Sequence, residues 1–286
     1  MQFRRLEFSD KTLFEKYGNP EDINFENDFA VLYCWNGIVD YSICQVENAV
    51  IIKLNVGSEI IYDIPITKDT NLDVYIELCH EDAKKNNIDF SMKILKKSYE
   101  FLSDKTKEKY NFELNPNAAD YIYNACELAG FLGRKFQKKR NLLSQFLRNY
   151  KYDFVSFDKA KHYDEILQFQ KERALADNHE FNAFKKAIDN LELLNLNCDI
   201  IEIDNKIAAF NVSLLSKPNC GEMLFEKANI EYKGCYAAIV KFSASKHFAN
   251  CQYINRQEDM GLENLRKSKL SYNPIFQIEK YMLTPK

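Results

Sequence analysis

The sequence predicts an α/β (α+β) protein built on mixed β-sheets flanked by helices. Three observations carry that expectation. With 286 residues, 46% hydrophobic and 14% aromatic, the chain holds enough apolar surface for one large domain or two of ordinary size. Short runs rich in β-branched and aromatic residues alternate with longer stretches of helical periodicity. In the second half these elements follow the order β-α-α-β-β-β-α-β-α-β, centred on a hairpin.

Taken in order, Phe3 to Tyr17 reads as a short strand and a first helix capped by Ser9 or Asp10. Asn27 to Trp35, Asp40 to Val46 and Ala49 to Asn55 read as strands or short connecting elements, with a turn at Asn36-Gly37. Leu72 to Asn86 places Leu72, Tyr75, Ile76 and Cys79 on one helical face. Asp89 to Ile94 is a strand candidate, and Ser103 to Tyr110 a short helix. Beyond residue 150 the pattern sharpens. Tyr152 to Phe157 is a strand, and Ala160 to Arg173 and Glu180 to Leu194 are helices. Cys198 to Ile203 and Ile207 to Leu215 form a hairpin through Asp204-Asn205-Lys206. Gly221 to Lys227 is a strand, Tyr232 to Phe248 a helix, Gln252 to Arg256 a strand, Leu262 to Leu270 a helix and Pro274 to Met282 a final strand.

The stretch from Asp120 to Tyr150 stands apart by charge. Between Gly130 and Lys151 it carries Arg134, Lys135, Lys138, Lys139, Arg140, Arg148 and Lys151 without one acid, in a chain of net charge -3. Read as one helix, it places Leu132, Phe136, Leu143, Leu147 and Tyr150 on a single apolar side. Lys139 projects into that stripe and Arg140 sits at its edge. A cation there either reaches water along its stem or meets an anionic guest. The helix Leu262 to Leu270 repeats the pattern, with Arg266 and Lys269 leaning toward the side of Leu262 and Leu265.

Composition excludes several classes. No CxxC pair is present among the eight cysteines, which read as reduced, buried thiols, and the four histidines form no HxxxH pair, so no metal site is expected. Neither a GxGxxG nor a Walker loop occurs. The best apolar run, Ala49 to Ile66, is broken by Lys53, Glu59 and Asp63, and no signal peptide is evident, so the expected location is the cytoplasm.

Three pieces together carry a resemblance: ELAGFLGRKFQKKRN at Glu127 to Asn141, EKANIEYKGCYAAIVKFSASKHF at Glu226 to Phe248, and NRQEDMGLENLRKSKLSYNP at Asn255 to Pro274. They resemble the phosphatidylglycerol lysyltransferase C-terminal domain-like family, a GNAT-like group related to Fem-type aminoacyltransferases. The resemblance implies two tandem GNAT-like domains, 1–150 ending in the basic helix and 151–286. It implies an acyltransferase that moves an aminoacyl group from charged tRNA to an amine or hydroxyl acceptor, a small molecule or peptide, without a cofactor. A lipid acceptor is less expected, because no membrane-embedded portion accompanies the chain.

Acyl-CoA is a second candidate donor. The stretch where GNAT enzymes hold pyrophosphate reads Glu231-Tyr232-Lys233-Gly234-Cys235-Tyr236 here, with one glycine and an acid at its head, which weakens that alternative. A third reading is a non-catalytic module that binds RNA or an acidic partner. The candidate anion-binding set is Lys135, Lys138, Lys139, Arg140, Asn141, Arg266, Lys269 and Tyr272. Glu258 and Asp259 are candidates to orient or deprotonate an incoming amine, or else helix N-cap acids ahead of Gly261.

Overall fold

A computed structural model of the chain describes residues 1–56, 59–173 and 178–286. It divides into two compact units. One comprises Met1–Asp120, Glu258–Leu262 and Gln277–Lys286, and the other Tyr121–Gln257 and Glu263–Phe276. This division differs from the expected one at 150: the basic segment lies in the second unit, and the end of the chain returns to the first.

In the first unit, strands Arg4–Arg5, Asp40–Gln45, Ala49–Val56, Glu59–Tyr62, Met92–Leu95, Lys280–Pro285 and Tyr110–Leu114 follow one another across a sheet in that order, with Ile66–Thr67 paired to Ala49–Val56. Helix Asp73–Lys85 buries Tyr75, Ile76, Cys79 and Ala83, the face its periodicity predicts, against Ile51, Met92, Ile94 and Leu283. Residues Phe29–Trp35 are a helix rather than the expected strand or short connecting element. The Asp28 side chain accepts from Ala30 N at 2.8 Å and starts it. An unbroken apolar run such as FAVLYCW does not distinguish a buried strand from a buried helix by period, and the cap decides.

The second unit orders its strands as Asp120–Asn124, Tyr253–Asn255, Cys220–Ala228, Lys206–Lys217, Asn197–Ile203 and Asp153–Ser156. Its hairpin turns tightly: Ile203 pairs with Lys206, and Asp204 and Asn205 take φ of 51° and 59°, as a two-residue type I′ turn requires. Helix Cys235–His247 lies on one face of this sheet and buries Ala237, Ala238, Ile239, Val240 and Ala244. Helices Lys159–Lys171 and His179–Asp189 bury Phe169 and Phe184, whose rings meet Phe210.

The stretch 120–150 is not one helix. It is the strand Asp120–Asn124, helix Ala125–Gly130, a 3-10 turn Arg134–Phe136 and helix Gln137–Asn149. Phe131 (φ 50°) and Gly133 (φ 79°) make the break. Arg140 holds it by donating Nη1 to Phe131 O at 2.5 Å and Gly133 O at 2.7 Å.

All eight cysteines are free; six are buried, Cys251 is half-buried and Cys126 is exposed. Among the described residues no helix is long and apolar enough to cross a membrane.

Candidate functional site

The sheet of the second unit opens between two of its central strands. Strands Cys220–Ala228 and Tyr253–Asn255 run parallel and pair only through Cys220↔Tyr253, Gly221↔Ile254 and Glu222↔Asn255. Past Asn255 the pairing stops while the first strand continues, and Glu226 and Arg256 occupy the gap. Arg256 Nη2 donates to Glu226 Oε1 at 2.8 Å, with the two side chains 9% and 14% exposed. Asn211, opposite Glu226 on the neighbouring strand, donates Nδ2 to Glu226 Oε2 at 3.3 Å. Burial alone would lower the Arg256 pKa, but Glu226, Tyr123 and Tyr272 outweigh it and hold the guanidinium charged.

Two polar atoms in this gap stay unsatisfied. Arg256 Nη1 and Asn211 Oδ1 are buried and meet no hydrogen-bond partner among the described residues. An orphaned donor on a buried cation is costly unless something accepts from it.

Aromatic rings wall the gap. The Arg256 guanidinium carbon lies 4.5 Å from the Tyr272 ring centroid and 5.5 Å from that of Tyr123. Lys139, from helix Gln137–Asn149, reaches the same tyrosine: Nζ is 3.4 Å from the Tyr272 centroid and donates to Ser271 Oγ at 2.8 Å. Burial, and secondarily repulsion from Arg256, pull the Lys139 pKa down to about 8 against the opposing pull of Glu226. One half-buried ammonium and one buried guanidinium thus face a single carboxylate, and the surplus positive charge suits an anion or an oxygen on which negative charge develops.

The other expected cations divide by task. Lys269 points inward as its position on the helix predicts, and is 8% exposed. Its Nζ donates to the carbonyls of Arg256 and Gln257, and Tyr123 Oη donates to Lys269 O at 2.9 Å. It braces the strand end that carries Arg256. Arg140 is committed to the break at 131–133, and Lys135 pairs with Glu127 at 2.6 Å. Lys138 and Asn141 are exposed, and Arg266 is half-buried on helix Glu263–Leu270. The shared pocket expected for Lys139, Arg140, Arg266 and Lys269 is therefore not how Lys139, Arg140 and Lys269 are arranged. Lys139 and Tyr272 join Arg256 and Glu226, two residues that reading the charge runs passed over. Their signal is a charge set on a buried strand: Glu226 lies within strand Cys220–Ala228, between buried Phe225 and Ala228, and Arg256 directly follows buried Ile254 and Asn255 of strand Tyr253–Asn255.

In the first unit lies a second set of charges, drawn from separate segments. Lys93 Nζ bridges Glu26 Oε1 (2.5 Å) and Asp63 Oδ1 (3.0 Å), and Lys280 Nζ bridges Glu26 Oε2 (2.9 Å) and Asp120 Oδ1 (2.6 Å). Beside them Glu258 is half-buried, with its pKa raised to about 7 by burial, then by Glu26 and Asp120, against Lys280 and Lys93. Asp259, its neighbour in sequence, is fully buried and accepts from Gly261 N at 2.8 Å through Oδ1, a turn-stabilising role. Among the described residues no group of three or more His, Cys, Asp and Glu side chains could hold a metal ion.

Comparison with known proteins adds ancestry. The family model described as phosphatidylglycerol lysyltransferase, C-terminal, matches residues 21–284. A conserved protein of unknown function from Bacteroides thetaiotaomicron VPI-5482 is similar over 100% of both chains, with 27% identity and a TM-score of 0.91. L-PGS from Bacillus licheniformis aligns with a TM-score of 0.69 at 14% identity, over 99% of this chain and 93% of that one. FemX aligns with a TM-score of 0.62 at 9% identity, over 99% of this chain and 97% of that one. At these last identities the likeness is one of fold, and the fold is the GNAT-like one expected, with mixed sheets flanked by helices. An uncharacterized protein of Mycoplasmoides gallisepticum is 26% identical over 185 residues, 62% of this chain, and the match spans 60% of that protein's length.

Proposed function

The chain belongs to the phosphatidylglycerol lysyltransferase C-terminal family, and from that premise we propose that it transfers an aminoacyl group from charged tRNA to an amine or hydroxyl acceptor. The observation that carries the reading is the buried Arg256 guanidinium, whose Nη1 meets no acceptor among the described residues, beside the half-buried ammonium of Lys139. In the transfer, the acceptor's lone pair attacks the ester carbonyl, a new C–N or C–O bond forms, and the ribose oxygen leaves with a proton. Negative charge gathers on the carbonyl oxygen meanwhile. Lys139 and Arg256 are the donors suited to that oxygen, and no covalent enzyme intermediate is needed. The exposed cations Arg134, Lys138 and Arg148 supply a salt-sensitive attraction for a polyanionic donor.

Acyl-CoA fits less well as the donor. Gly234, at the head of helix Cys235–His247, has φ of 91° and is packed so tightly that an added Cβ would fall 2.2 Å from Leu142 O. Lys233 N donates to Tyr150 Oη at 3.2 Å, and the Tyr150 and Tyr232 rings meet at 5.2 Å. The backbone that would cradle a pyrophosphate is engaged by the basic helix and the tyrosine that follows it.

Charged tRNA bearing labelled amino acids, with hydroxylamine as a surrogate acceptor, tests this. The wild-type protein should accelerate hydroxamate formation above background. Arg256→Met and Lys139→Met should each lower that rate about 10²-fold or more, with filter retention of the tRNA changed far less. Retention without turnover would favour the binding-module reading, and heat on titration with acetyl-CoA would favour the CoA donor.

A further inference from the structure

We propose that Ser271 and Lys139 form a serine–lysine nucleophile pair, which gives the protein a second activity, the cleavage of simple carboxylic esters through an acyl group held on Ser271 Oγ. Ser271 directly follows helix Glu263–Leu270 and is exposed, so an ester can reach it from solvent. Its Oγ accepts from Lys139 Nζ at 2.8 Å and donates to Ser268 O at 2.5 Å. The first distance is the one a hydroxyl nucleophile and its base require. Among the described residues Ser271 Oγ is the one hydrogen-bond partner of Lys139 Nζ, and no carboxylate forms an ion pair with it. Lys135 and Lys267 on the same two helical segments, by contrast, pair with Glu127 and Glu263. The groups that bear on Lys139 are Arg256 and Glu226 across the gap and the Tyr272 ring, 3.4 Å from Nζ to its centroid. Burial and Arg256 make the ammonium easy to discharge, and Glu226 opposes them.

Once neutral, Nζ holds a lone pair within hydrogen-bond reach of Oγ, and the hydroxyl proton rotates from Ser268 O toward it. Oγ attacks the ester carbonyl while its proton passes to Nζ, and an Oγ–C bond forms. The ester's own C–O bond then breaks, and the departing alkoxide takes the proton from Nζ. Water next attacks the acyl carbon and gives a proton to Nζ. The Oγ–C bond breaks, the acid is released, and Oγ regains its proton from Nζ. Arg256 stays charged throughout and, 4.5 Å from the Tyr272 centroid, is the second cation on that ring to offset the oxyanion. One lysine thus divides two activities by protonation: aminoacyl transfer uses its ammonium, and ester cleavage uses its free amine. The second activity needs no polynucleotide and does not rest on the transferase reading.

p-Nitrophenyl acetate is the probe, hydrolysed by the full chain with the buffer rate subtracted at each pH. With the base titrating at about 8, the rate should rise about tenfold from pH 7 to pH 9, opposite in sense to transfer. Acid quenching during the reaction, followed by peptide mass spectrometry, should find the acetyl group on Ser271 as an ester that neutral hydroxylamine removes. Ser271→Ala, at an exposed position, should abolish the activity. Lys139→Arg keeps the positive charge but has no free amine in this range, and should lower the rate about 10²-fold or more. No hydrolysis above buffer at pH 9, a rate flat across this range, label confined to lysine amides, or either variant matching wild type would each overturn the proposal. No tRNA enters these measurements, so none of these outcomes bears on hydroxamate formation from charged tRNA, where loss of the Arg256 effect counts against the transferase reading alone.

Discussion

Lys139 converts geometry into a pH dependence. A lysine in water stays mostly charged up to about pH 10, but burial beside Arg256 brings this one down to about 8. If its charge stabilises the transition state, kcat/KM for transfer should fall as pH rises through about 8. Lys139→Arg should carry that descending limb beyond pH 10, and Lys139→Met should leave no limb there at all. Glu258 works in the opposite sense and on stability. Its pKa is raised from 4.5 to about 7, so the native state holds the proton more tightly than the unfolded chain. The stabilisation is complete below pH 4.5 and lost as pH rises to 7. Glu258→Gln removes this dependence, so its stability relative to wild type should climb by about 1–2 kcal/mol from pH 5 to pH 8, a figure discounted for partial exposure. Urea midpoints at both values measure it, and a constant difference would show that Glu258 does not titrate. Such groups are half legible in sequence. Lys139 betrayed itself by interrupting an apolar stripe, and Glu258 by standing beside a turn, but their partners Arg256, Glu26 and Asp120 come from elements whose proximity no local pattern records.

Among the elements, helices with capping residues and strands with tight turns followed from the letters, because those signals act within a few residues. Asp204-Asn205 fixes its hairpin, and the face of helix Asp73–Lys85 was plain from spacing. Segment 120–150 misled because the break shifts the apolar face: Phe131 in the left-handed region puts its ring in the core, stacked on Phe136 at 5.5 Å, while Leu132 and Leu147 of the expected stripe are 48% and 46% exposed. Helix Gln137–Asn149 then packs close enough to Gly234 that no side chain fits between. Gly234→Ala should therefore cost about 3 kcal/mol or more, from positive φ together with the overlap on Leu142 O. Guanidinium unfolding will show it. Gly133→Ala also sits at positive φ but has open space around its Cβ, so it should cost about 1 kcal/mol. Equal losses would mean that backbone conformation alone, and not the approach of the basic helix, sets the requirement at Gly234.

At the scale of the whole molecule, the decisive element is the last strand. Lys280–Pro285 pairs with Met92–Leu95 on one side and Tyr110–Leu114 on the other, in the interior of the first unit's sheet. Pro274 to Met282 was expected to finish a second domain, and nothing in its composition says which sheet it joins. Pairing between segments so distant in sequence is set by the total burial it permits, Leu283 being fully buried and Lys280 closing on Asp120 and Glu26. Removing residues 277–286 should therefore damage the far end of the chain's map. Without Lys280, the buried carboxylate of Asp120 loses its ion pair with that lysine, at a cost of about 3–5 kcal/mol, and two strands lose a neighbour. In hydrogen exchange, amides of Met92–Leu95 and Tyr110–Leu114 should lose protection in the 1–276 chain, while those of Asn197–Ile203 and Lys206–Lys217 keep theirs. A fragment cut at the boundary the sequence suggested, 151–286, should fail to reach that protected state, because it lacks strand Asp120–Asn124 and helices Ala125–Gly130 and Gln137–Asn149. Were that fragment to fold cooperatively, the core built by Phe131, Phe136 and Phe146 against Ile239, Val240 and Tyr272 would be dispensable, and with it the placement of Lys139 beside Arg256.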